Sequence, residues 1–251
     1  MTDRPMHTVP GLFDRLAALY ADGVQALADG RLHDAVMLFS EGIQLDDQFC
    51  QGQVTMYAQR AFAYQRLGDH VAAIRDYGRA IEMEPPINQA QYLFHRGICF
   101  TALGGHEEHA VNDFGRAIAI FPDHPGPYHL RGKLLATDLG RYEEAIDDFN
   151  RLLATHVVAE GYQLRGYAKL NLGRGRDAIP DLLEANRLEQ DTYTDYLLAW
   201  AGAIAPDDEL FYRSMQAVIA AEPVTYKAYF LENDDFARFR VQPRFHQIIG
   251  R

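Results

Sequence analysis

The chain predicts an all-α fold, a solenoid of helix-turn-helix hairpins, on three features that recur in one register. Alanines fall at Ala35, Ala73, Ala110, Ala145 and Ala178, at intervals of 38, 37, 35 and 33 residues. Five residues before each stands a turn glycine (Gly30, Gly68, Gly105, Gly140, Gly173), and four residues after each a bulky apolar side chain (Phe39, Tyr77, Phe114, Phe149, Leu182). A fixed period of this length marks an array whose units cannot bury their apolar faces alone. Residues 162–186 show the unit most plainly. Gly166, Ala178 and Ala185 are small where two helices must touch, Tyr162, Leu170, Leu182 and Leu183 supply bulk, and Gly173 and Gly175 make the turn. Helices approach to about 8–10 Å only where the contact residues allow it.

The first repeat covers approximately residues 12–46. A turn-like lead-in at 8–11 precedes a helix over 12–28, whose apolar residues Leu12, Leu16, Leu19, Tyr20 and Leu27 have helical spacing. Its partner spans 32–45, starting after Gly30 and ending before Asp46 and Asp47. A longer connection at 48–53 leads to the second repeat, 54–86. Pro85 and Pro86 forbid helix continuation and set off the third, 89–122. The fourth runs over 125–156 and the fifth over 159–190, with Pro180 in the early turns of its second helix, where a missing donor costs least.

Beyond Gln190 the register fades. Segments 193–205 and 207–221, divided by Pro206, still read as a helical pair, a degenerate repeat over 191–222 with Asp207 as N-cap. The remainder, 223–251, places Phe236, Phe239, Phe245 and Ile248 at helix-like intervals around Pro243, and reads as a cap over the apolar face of the last repeat. The expectation is one solenoid domain over 1–251.

This pattern resembles the tetratricopeptide repeat, a helix-turn-helix of about 34 residues with small residues at fixed points and a proline near its end. The residues that carry the resemblance are the small Ala61, Gly97, Gly132 and Gly166 of the first helices, with Pro85 and Pro122 closing the second and third copies. It covers roughly residues 15–190. Asp22 stands where the repeat usually has a bulky residue, and the fourth and fifth copies lack the closing proline. The tail is similar to short segments that close some bacterial repeat arrays. The resemblance implies a right-handed α–α solenoid that binds another protein or peptide on a concave surface built from its first helices.

Composition agrees with a packed, polar-surfaced chain: 48% of 251 residues are hydrophobic, 24% charged, and the net charge is −11. That balance disfavours a phosphate-binding surface, which needs clustered Lys and Arg, so no nucleic-acid partner is expected and a basic or neutral protein suits better. Cys50 and Cys99 have neither zinc spacing nor a disulfide framework, which points to a reducing compartment. No run of about 18 apolar residues occurs, so the expected location is cytoplasmic, away from membranes.

A charged ladder accompanies the repeats. Arg60, Arg96, Arg131 and Arg165 each precede the small first-helix residue, and Asp76, Asp113, Asp148 and Asp181 each precede the groove-filling residue 16 or 17 positions later. The arginines read either as a row for an acidic ligand or as inter-helix ion pairs, and the matched acids favour pairing. Partner binding then falls to the other face of the first helices. In the tetratricopeptide-like reading this inward row is Thr55, Gln59, Phe62 and Gln65, then Gln91, His95 and Ile98, then His129, Lys133 and Thr137, then Gln163, Tyr167 and Asn171. Some family members grip a carboxyl-terminal peptide with Lys and Asn, to which only Lys133 and Asn171 correspond. Mixed amide, imidazole and aromatic groups suit an extended segment or a partner helix.

Catalytic and metal chemistry find no foothold. The chain lacks GxSxG, a P-loop, GxGxxG after a strand and HExxH. His106 and His109 flank Glu107 and Glu108 in a turn with no third ligand evident, so neither a metal nor a cofactor is expected. The expected function is a non-catalytic adaptor or scaffold. The alternatives are a dedicated chaperone or immunity-like inhibitor of one folded partner, and a self-assembling module, since solenoid ends can stack into homo-oligomers.

Overall fold

The computed structural model describes the backbone of residues 11–49 and 54–250 and, outside 46–49, their side chains. Among the described residues there are fifteen α-helices and no strand, and the architecture is an all-α repeat solenoid. The chain divides into two compact units, one ending at Pro127 and the other starting at Tyr128.

The first unit holds α1 (Leu12–Ala28), α2 (Leu32–Phe49), α3 (Val54–Leu67), α4 (His70–Met83), α5 (Ala90–Leu103) and α6 (Glu107–Ile120). Each helix packs on the next, and first helices also touch first helices, α1 with α3 and α3 with α5. Helix α2 runs on through Asp46 and Asp47 to Phe49, past the end expected at Leu45. Two aspartates keep their backbone donors, so they do not stop a helix as a proline would. Helix α7 (Pro125–Thr137) spans the division between the units.

The second unit continues with α8 (Tyr142–Leu153), α9 (Ala159–Asn171), α10 (Gly175–Leu188), α11 (Thr192–Ile204) and α12 (Asp208–Ala221). The short helices α13 (Pro223–Glu232), α14 (Ala237–Arg240) and α15 (Pro243–Ile249) follow. Asp207 caps α12, its carboxylate accepting from the Leu210 N–H at 3.0 Å. Pro180 is the sixth residue of α10, one turn deeper than a first-turn position.

The recurrent residues have physical work to do. All five turn glycines take left-handed backbone, with φ from 64° to 82°, a region that costs other residues strain. Between them the hairpins close by pairing a small first-helix residue with the groove filler of the second. A Cβ added at Gly97 would lie 2.6 Å from the Phe114 ring, at Gly132 3.1 Å from Phe149, and at Gly166 2.6 Å from Leu182. Gly23 makes the same contact with Phe39 at 2.6 Å, so the first repeat keeps its small residue beside the irregular Asp22. Ala61 and Tyr77 share one buried cluster in the second repeat.

At the carboxyl-terminal end, Phe230 of α13, Phe236 of a 3-10 turn, Phe239 of α14, and Phe245 and Ile248 of α15 are buried with Phe211 and Met215 of α12. The Phe211 and Phe239 rings stack with centroids 3.7 Å apart. No helix among the described residues is long and apolar enough to cross a membrane.

Candidate functional site

The four ladder arginines are turned into the hairpins. Arg60 donates from Nε and Nη2 to the two carboxylate oxygens of Asp76 at 2.6 and 2.9 Å. Arg96 does the same to Asp113 at 2.7 and 2.8 Å, and Arg165 to Asp181 at 2.9 and 2.5 Å. In the second unit Arg131 joins Asp148, a residue only 3% exposed. Burial raises the Asp148 carboxyl above its ordinary pKa although Arg131 pulls it down. The arginines reach further where a polar residue follows the groove filler: Arg60 Nη1 donates to Ser40 Oγ at 3.0 Å and Arg165 Nη1 to Asn150 Oδ1 at 2.8 Å. All four guanidiniums are therefore committed to internal carboxylates.

The inward row divides between the units. In the second, its polar groups are already engaged. Lys133 Nζ lies 2.6 Å from Glu160 Oε1, and His129 Nε2 lies 3.1 Å from Glu160 Oε2 without hydrogen-bond alignment. Thr137 donates to the Lys133 carbonyl, Gln163 to Asp191 and to Thr194 Oγ1, and Asn171 to the Tyr167 carbonyl. Tyr167 packs between Tyr142 and Trp200. Lys133 and Asn171 thus lack the free heads that a carboxylate clamp requires.

The first unit differs. Thr55, Gln59 and Phe62 of α3 meet Gln91 and His95 of α5 around one cleft of about 220 Å³. Among the described residues, the side chains of Thr55, Gln59 and Gln91 make no hydrogen bond. Gln65 stands apart, accepting from the Tyr77 hydroxyl at 3.0 Å, and Ile98 does not line the cleft. His95 stacks on Tyr77 with an interplanar angle of 16° and meets Phe62 and Phe94 edge-on. Burial lowers its pKa, with His124 adding to the effect, and its Nδ1 is buried without a partner. The imidazole is a neutral wall.

A larger cavity of about 540 Å³ shares Gln91 and His95 with this cleft and extends to Phe94, Phe121 and His124. None of these last three stands in the inward row. The only cue in the sequence is that proline-rich turns, at 85–86 and 122–127, bracket this repeat. His106 and His109 are exposed and lie tilted against Phe100, and no group of three or more potential metal ligands occurs among the described residues. Cys99 is fully buried, and burial pushes its thiol up to about 12. Cys50 lies outside the described residues.

Residues 54–86 and 126–154 match the tetratricopeptide-repeat family model. The small glutamine-rich tetratricopeptide repeat-containing protein 2 of Mycosarcoma maydis is 35% identical over 83 residues, 33% of this chain and 22% of that protein. DnaJ homolog subfamily C member 3 of Gallus gallus is 28% identical over 184 residues, 67% of this chain and 35% of that protein. The chain thus spans only about a fifth to a third of these relatives' lengths. Among solved structures, a tetratricopeptide repeat protein from Parabacteroides merdae superposes with a TM-score of 0.66 at 16% identity, covering 93% of this chain and 90% of that one. YrrB, described as a TPR protein with an unusual peptide-binding site, superposes with a TM-score of 0.61 at 16% identity, covering 68% and 85%.

Proposed function

We propose that this tetratricopeptide-repeat protein, a protein–protein interaction module, works as an adaptor that holds an extended segment of a partner across α3 and α5. The observation that carries the reading is the convergence on one cleft, walled by Phe62 and His95, of Thr55, Gln59 and Gln91, whose side chains make no hydrogen bond among the described residues. Amides and hydroxyls left in water at a concave wall match the N–H and C=O groups of a backbone that has no secondary structure of its own. Aromatic walls then supply the apolar contact that gives such interfaces most of their energy. The second-unit row supports the choice by contrast, since its amides and Lys133 already have internal partners. The peptide-binding site described for YrrB is a precedent for this kind of use.

The test is a footprint. Peptides selected on the full chain from a random-sequence display library should perturb the amide resonances of α3 and α5 at saturation. Perturbation confined to the second helices α4 and α6 contradicts the reading. A folded partner in place of a segment would show a large negative heat-capacity change on binding.

A further inference from the structure

The cavity beside the row arises from two irregular turns. Pro85 and Pro86 have no N–H, so α4 stops at Met83 and the chain re-enters a helix only at Ala90, after a 3-10 turn at Pro86–Asn88. On the other side α6 ends at Ile120, and α7 starts at Pro125. The space between the turns, about 540 Å³, is walled by rings. Phe94 has its centroid 5.3 Å from His124 and 5.5 Å from His95, and Phe121 lies 6.0 Å from His124. At the rim, Ile87 is 71% and Phe121 52% exposed, apolar side chains held in water where a partner could cover them.

The lining contains no Lys, Arg, Asp or Glu, so a charged guest would lose hydration without gaining a counter-ion. A ring would meet Phe94, Phe121 and the two imidazoles in the tilted or edge-on arrangements that aromatic pairs prefer. Just outside, the sign is negative. Exposed Asp123 sits in the turn between Phe121 and His124, Glu84 accepts from Asn88 of the lining at 3.0 Å, and the chain as a whole carries −11. Arg116, on the same helix as Ala117, donates from Nη2 to the side-chain Oε1 of Gln89 at 2.9 Å.

We infer that this cavity takes one aromatic side chain of the partner segment, and that the residues beside that anchor are basic. The inference rests on the α3–α5 reading, because the cavity and the cleft share Gln91 and His95.

The experiment titrates the full chain with Ac-Trp-Lys-NH2, Ac-Trp-Glu-NH2 and Ac-Ala-Lys-NH2, following the ring resonances of Phe94 and His124. Ac-Trp-Lys-NH2 should saturate, Ac-Trp-Glu-NH2 should bind about threefold more weakly at low salt with the gap closing at high salt, and Ac-Ala-Lys-NH2 should not saturate. The Ile87→Ala, Phe121→Ala double variant changes only exposed rim residues and should weaken Ac-Trp-Lys-NH2 by roughly tenfold with an unchanged melting temperature. No saturation by either tryptophan probe, or equal binding of the alanine probe, overturns the inference. If library-selected peptides footprint α3 and α5 but carry no aromatic residue, the anchor fails while the segment reading stands. If Ac-Trp-Lys-NH2 saturates and no peptide marks α3, the segment reading fails while the cavity stands.

Discussion

The guanidinium of Arg131 meets the carboxylate of Asp148 through two parallel hydrogen bonds, 2.8 Å from Nε to Oδ2 and 2.6 Å from Nη2 to Oδ1. Asp148 is almost wholly buried and Arg131 is a quarter exposed along its side chain. Removing one member of such a pair strands a charge, whereas removing both strands none. Arg131→Ala should therefore cost about 3 kcal/mol, and adding Asp148→Ala should return part of that loss. Urea denaturation of both singles and the double measures the coupling, and strictly additive losses refute the pairing argument.

Gly78 occupies the position after Tyr77 that Ser40 and Asn150 occupy after Phe39 and Phe149. Both of those residues accept from a ladder arginine, and a Cβ at Gly78 would lie 3.6 Å from Arg96 Nη1. Gly78→Ser should stabilise the chain by about 0.5–1 kcal/mol, from helix propensity and one added acceptor for Arg96. The midpoint in urea should rise, and the acceptor's share is read by repeating Gly78→Ser in an Arg96→Ala background, where only the propensity gain should remain.

Close packing makes a graded prediction for the first helices. Gly97→Ala drives a methyl to 2.6 Å from the Phe114 ring, while Gly132→Ala meets Phe149 at 3.1 Å. The first should cost about 1–3 kcal/mol by overpacking and the second less. Thermal melts of the two variants should rank in that order, and Ala110→Leu, at a fully buried site, should fall with the first.

His95 sets a pH dependence. Burial, with His124 alongside, holds its imidazole below the ordinary 6.5. In the window below that value the unfolded chain binds the proton and the folded chain does not, so stability is complete above about pH 6.5 and declines as pH falls. The urea midpoint should be lower at about pH 5.5 than at about pH 7.5, and His95→Gln should flatten that slope.

The hairpin register was legible because its contacts are local: Gly97 touches Phe114, and Arg96 meets Asp113, 17 residues along the chain. Gly23 was hidden by Asp22 beside it, which breaks the charge pattern without disturbing the packing. Other features have no period to read. Gln163 is engaged by Thr194 from the next repeat, 31 residues away, so its lack of freedom appears only when repeats are stacked. The cavity at Phe94, Phe121 and His124 is made by two irregular turns, and irregularity carries no repeat signal.

An extended partner segment lying across α3 and α5 would rest its backbone on Thr55, Gln59 and Gln91. Calorimetric titration of a library-selected peptide into wild type and into a Thr55→Ala, Gln59→Ala, Gln91→Ala variant is the test, because among the described residues those three side chains make no hydrogen bond, so their loss should leave the fold intact. The dissociation constant should weaken by at least about tenfold, as expected for the loss of two or three hydrogen bonds, with an unchanged melting temperature. An unchanged dissociation constant would contradict it.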